Sequence, residues 1–142
     1  MPKFPDRFYV DKKDKEIYDR LEIFKEKEGE QDKKTRREQF MFAMAMGFIN
    51  KVRQPIKNKE NFFLAKDLRY DDEALINSVA LFNNDVEILL KKEEVFKIAE
   101  EYAHAGLKIL DDKIQSISFG NFWKIFEKDI HELHDKYFLE NK

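Results

Sequence analysis

Apolar residues recur at helical spacing in four stretches of this chain and crowd together in a fifth. Ile17, Leu21 and Phe24 share one face of a helix predicted to about Lys25, with Asp11 placed to cap its first turn. Leu75, Val79 and Phe82 mark another, over about 72 to 82, which opens on acids and stops at Asn83 and Asn84. A longer stripe of Val95, Ala99, Tyr102, Ala103, Gly106, Ile109 and Leu110 predicts a helix from Lys92 or Glu93 to about Lys113. The most regular stripe is the last. Phe119, Phe122, Trp123, Phe126, Ile130, Leu133 and Tyr137 keep the 3.6-residue period and predict a helix over about 119 to 139.

The fifth stretch is different in kind. From Lys33 to Phe48, with Asp32 as its cap, the chain is polar for two turns and then apolar on every side through Phe40, Met41, Phe42, Ala43, Met44, Ala45 and Met46. A helix apolar all round is a buried one, so residues 33–48 are predicted as the central helix. Ala43 and Gly47, four apart, leave a flat strip where another helix can come close. Gly106 costs about 1 kcal/mol of helix propensity relative to Ala, which a close helix crossing would offset. Two segments escape the helical pattern. Residues 1–10, with two prolines and Phe4, Phe8 and Tyr9, read as an extended arm docking on a core or a partner. Residues 50–70, with Pro55 and the cluster Phe62, Phe63 and Leu64, are long for a structureless connection, and such loops tend to be functional or partner-bound. The expected fold is all-α: one compact domain of about five helices over 11–142, behind an N-terminal arm over 1–10.

Composition narrows the setting. With 142 residues the chain can bury roughly two-thirds of its unfolded surface. At 42% hydrophobic, 39% charged and 14% aromatic, it is not disordered. The absence of cysteine closes disulfide, thiolate-zinc and cysteine-nucleophile chemistry. The longest apolar run, Phe40 to Ile49, is about half a bilayer span, and the first residues lack a signal peptide's apolar segment. A cytoplasmic protein with no membrane partner is expected.

The net charge of −2 conceals two blocks of opposite sign. Between Lys33 and Lys59 stand eight basic residues and one acid, Glu38. Between Asp71 and Glu101 stand nine acids and three lysines. The candidate nucleic-acid contacts are Lys33, Lys34, Arg36, Arg37, Lys51, Arg53 and Lys57, the first four at the positive end of the central helix, where backbone amides and cations both favour phosphate. Against them stands the plainer reading, a solvated helix face or a docking surface for an acidic partner. Base-stacking aromatics are not interleaved with these cations in the sequence, as a single-strand binder would want. Met41, Met44 and Met46 are read as core filling.

Catalytic signals are absent. His131 and His134 are one turn apart, not at the four-residue spacing of a zinc-protease helix, and no third ligand is identifiable. The expectation is that His134 flanks the apolar stripe and His131 faces solvent. Asp71, Asp72 and Glu73 point in different directions on a helix and suit its dipole better than a cation. The four glycines are isolated, so no phosphate loop exists. Neither an arginine followed four to six residues later by histidine nor a strand-borne Glu-x-Lys triplet behind separated carboxylates occurs in a setting that fits a nuclease. No catalytic residue, metal or cofactor is expected.

The basic approach to Phe40-Met41-Phe42-Ala43-Met44-Ala45-Met46-Gly47-Phe48, then Lys51, Arg53, Pro55 and Ile56, and later Ile98-Ala99-Glu100-Glu101-Tyr102-Ala103 with Gly106, Leu107 and Leu110, resembles the DNA phosphorothioation-associated protein 4 family, also called Dnd system-associated protein 4. The resemblance spans roughly Asp11 to Leu110. It implies a bacterial accessory to DNA sulfur modification or anti-phage restriction and brings no reaction or catalytic residue. The expected function is a non-enzymatic accessory subunit of such a complex, binding a larger protein of the same system or a second copy of itself. The alternative is a DNA-binding factor contacting phosphates through the basic cluster 33–59, and the last-ranked reading is a nuclease of unrecognised type.

Overall fold

The computed structural model describes residues 5–21, 33–116 and 127–136, with side chains described for 36–113 of the middle stretch. In chain order these form strand β1 (Arg7–Asp11), helix α1 (Lys12–Arg20), helix α2 (Lys33–Ile49), strand β2 (Lys59–Leu64), helix α3 (Tyr70–Leu81) and helix α4 (Lys92–Ser116). Short 3-10 turns lie at Ala65–Asp67 and Val86–Leu90. Residues 127–136 are helical and are called α5. The molecule is mostly helical, as its apolar periodicity predicts. Phe4, Phe24, Asp32, Phe119, Phe122, Trp123, Phe126 and Tyr137, each given a place in the sequence pattern, lie outside the described residues.

The central helix is where the sequence puts it. Phe40, Ala43, Met44, Ala45 and Met46 of α2 are all at most 2% exposed. Its main neighbour is α4, and the two backbones cross at their glycines. A Cβ on Gly106 would stand 2.0 Å from the Ala43 carbonyl oxygen and 2.3 Å from the Gly47 nitrogen, and one on Gly47 would stand 2.0 Å from the Tyr102 carbonyl oxygen. Only hydrogen fits at either position. The flat strip of Ala43 and Gly47 therefore receives the Gly106 surface of α4, and the close approach offsets the propensity lost at both glycines.

Helix ends follow local chemistry. Asp11 caps α1 through the Lys13 amide (3.0 Å). The Leu21 N–H then closes on the Ile17 and Tyr18 carbonyls, ending the helix earlier than its stripe suggests. Helix α3 begins two residues before the expected start because the Asp72 carboxylate accepts the Arg69 N–H (2.9 Å). Asn83 ends it in the left-handed region at φ 66, and the Asn84 side chain donates to the Ala80 carbonyl (2.9 Å).

The two segments that escaped the helical pattern pair with each other. Strands β1 and β2 form an antiparallel ribbon in which Arg7 opposes Leu64 and Asp11 opposes Lys59. A bulge falls where Phe8 opposes Phe63 but Tyr9 opposes Asn61, leaving Phe62 as the extra residue. Neighbouring strand residues ordinarily face opposite sides, yet Phe62 and Phe63 are both 5% exposed, and the bulge is what turns both inward. Phe8, fully buried, stacks on Phe63 at 4.8 Å and on Phe96 of α4 at 4.1 Å. Phe62 packs against Tyr18 of α1 at 4.6 Å. The ribbon thus closes one side of the α2–α4 core.

Candidate functional site

The five candidate cations whose side chains are described do not form one surface. Arg37 is 4% exposed, and its guanidinium donates to Asp72 of α3 at 2.6 Å, with Glu38 at 3.7 Å. Arg53 donates to Glu101 of α4 at 2.6 Å and lies 5.8 Å from the centre of the Tyr102 ring. Arg36 sits 5.1 Å over the Phe62 ring. Lys51 and Lys57 are exposed, and no ion pair among the described residues involves either. The side chains of Lys33 and Lys34 are outside the described set. The basic and acidic blocks of the sequence therefore meet in the fold, through Arg37–Asp72 and Arg53–Glu101. The Arg37–Asp72 pair is shielded on both sides, so removing one partner strands the other's charge, whereas Arg53 reaches the buried Glu101 from the surface.

Two of the candidates, Lys51 and Arg53, do come together, at a cleft of about 500 Å³ between the C-terminal ends of α2 and α3, the middle of α4 and α5. Phe48, Phe82, Tyr102 and Leu133 give it an apolar floor, and Lys51, Arg53, Lys136, Asp129 and Glu132 form its rim. Phe48 meets both Phe82 and Tyr102 edge to face, at 5.3 and 5.5 Å. The two carboxylates of the rim have cations of their own, Lys113 near Asp129 and Lys128 near Glu132, each at 3.9 Å.

Buried ionisable groups gather on the opposite flank of α4, where sequence gives no sign of them. Asp14 of α1, 3% exposed, pairs with the His104 Nδ1 across 90 residues of chain. Burial pushes the Asp14 carboxyl up, against the pull of the His104 hydrogen bond. Glu100, 4% exposed, accepts the Tyr9 N–H at 2.7 Å, so a side chain of α4 holds β1 by its backbone. Burial raises the Glu100 carboxyl to about 7, opposed by that hydrogen bond and by Lys59. Asp11 shows the converse. Burial acts on it too, but the amides of Lys13, Asn58 and Lys57 together hold it below the usual carboxylate range. Tyr18, fully enclosed, is raised well above the ordinary phenol by burial.

His131 and His134 are both exposed on α5, while Leu133 between them is buried. No three His, Asp or Glu side chains among the described residues stand close enough to share a metal ion. Among the same residues no helix is long and apolar enough to cross a membrane.

No curated protein and no solved structure matches the chain. A family model, that of DNA sulphur modification system-associated protein 4, matches residues 7–121. The match takes in β1, which precedes the segment that carries the resemblance in sequence, and it covers β2, the helices α1 to α4 and the crossing at Gly47 and Gly106. The chain belongs to the family of DNA sulphur modification system-associated protein 4.

Proposed function

We propose that the chain is a non-enzymatic accessory subunit of a prokaryotic DNA sulphur modification system or a linked anti-phage defence system, and that it works by docking on a larger protein component. One observation carries this reading. The arginines that would make the best phosphate clamps, Arg37 and Arg53, are spent on Asp72 and Glu101. Family membership supplies the setting. Exposed apolar side chains supply the means: Tyr70 and Leu90 are each 84% exposed, and Val86 is 69% exposed. Isolated apolar residues on a surface are ordinary, but three this exposed suit a surface that a partner covers.

Co-expression with the other components of the same system tests the proposal. A stable complex at physiological ionic strength, weakened by Val86→Asp or Leu90→Asp, is the expected result. Failure of the chain to co-purify with any component would contradict it.

A further inference from the structure

The cleft at the ends of α2 and α3 brings together what the linear sequence keeps apart. Cations from the loop after α2 meet a ring at the end of α3 and one on α4: Lys51 and Arg53 line the same cleft as Phe82 and Tyr102, about 30 to 50 residues away in the chain. From this juxtaposition we infer that the cleft binds a nucleotide unit, its base stacked on Phe82 and its phosphate held by Lys51 and Lys136.

Each part of the ligand has a counterpart. Phe82 lines the cleft, is 41% exposed, and meets Phe48 edge to face rather than by stacking. The Tyr102 ring is already covered by the Arg53 guanidinium, which leaves Phe82 as the stacking platform. Lys51 and Lys136 have no ion pair among the described residues, while Arg53 retains 41% side-chain exposure beside Glu101. With Lys113 beside Asp129 and Lys128 beside Glu132, each at 3.9 Å, Lys51 and Lys136 keep the rim attractive to an anion, and the two carboxylates can accept from the exocyclic amino group of a base. A volume of about 500 Å³ lies within the range of small-ligand pockets.

Two helix ends meet at this cleft. Lys51 at φ 57 and Asn83 at φ 66 close α2 and α3 in left-handed backbone, the Lys51 and Val52 N–H groups donating to the Phe48 and Gly47 carbonyls at 3.1 and 2.9 Å, and both residues line the cleft.

Calorimetric titration of the full chain tests the site, with dAMP, inorganic phosphate, deoxyadenosine and a six-residue deoxyadenosine oligonucleotide as probes. Saturable binding of one dAMP is expected, with phosphate and deoxyadenosine each weaker by at least roughly tenfold. Phe82→Ala and Lys51→Gly should each weaken dAMP by about tenfold. Glycine accepts the backbone of Lys51 without strain, so its loss of binding would not reflect unfolding. An oligonucleotide tighter than dAMP assigns the unit to a DNA strand, and equal affinities assign it to a free nucleotide. The inference is overturned if dAMP does not bind, if phosphate binds as well as dAMP, or if either variant binds like the parent. None of these outcomes bears on docking through Val86 and Leu90.

Discussion

Glu100 carries an acid–base consequence that can be measured. Its carboxyl titrates near 7 in the folded chain against an ordinary value of 4.5, mainly because it is buried. A carboxyl with a raised folded value binds more protons folded than unfolded between those limits, so its contribution to stability is complete at the acid end and is lost as pH rises. The full effect is up to about 3 kcal/mol. Glu100→Gln keeps an acceptor for the Tyr9 N–H and removes the charge. The variant should resist urea better than the parent at about pH 8, with the advantage gone by about pH 4.5. An advantage independent of pH would mean that the carboxyl does not titrate in this window.

At the scale of elements, the decisive contact is the crossing of α2 and α4. Gly106→Ala gains about 1 kcal/mol of helix propensity in isolation. In the folded chain its Cβ would stand 2.0 Å from backbone oxygen, which cannot rotate away. Net destabilisation of about 2 kcal/mol or more is expected in a denaturation series, because overpacking against backbone forces the two helices apart. A neutral or stabilising result would contradict the crossing. This contact was half legible: the flat strip on α2 and the glycine on α4 each announce a close neighbour, though not that they meet each other. The extended arm that docks Phe8 on the core was legible, but its pairing into a ribbon was not. Strand β1 offers only Phe8 and Val10 on its inner face, and in β2 the adjacent Phe62 and Phe63 break the two-residue period that would mark a strand. A bulge restores the burial of both, and a bulge is set by pairing, which single-strand periodicity does not contain.

At the scale of the whole molecule, charge blocks in sequence do not translate into charged ends in space. Arg37 and Arg53 reach Asp72 and Glu101 across 35 and 48 residues, so the most prominent cationic side chains serve folding. The sequence shows the right residues and conceals their partners, since both lie on other elements. The buried pair Asp14 and His104 was hidden for the same reason, and the cleft rings lay too far along the chain to appear interleaved with Lys51 and Arg53. Among the described residues, what remains for long nucleic acid is Arg36, Lys51, Lys57 and the outer face of Arg53, with exposed acids on α3 and α4.

Duplex binding by the isolated chain, measured across a salt series, tests this account most directly. Arg37 is left in place, since its removal would strand Asp72; the comparison is between the parent and Lys33→Ala, Lys34→Ala, Lys57→Ala protein. A Kd weaker than about 10 µM at physiological ionic strength is expected, changed less than about twofold by the triple substitution. A Kd below about 1 µM that weakens about a thousandfold between roughly 50 and 200 mM salt, and is abolished by the triple substitution, would contradict it.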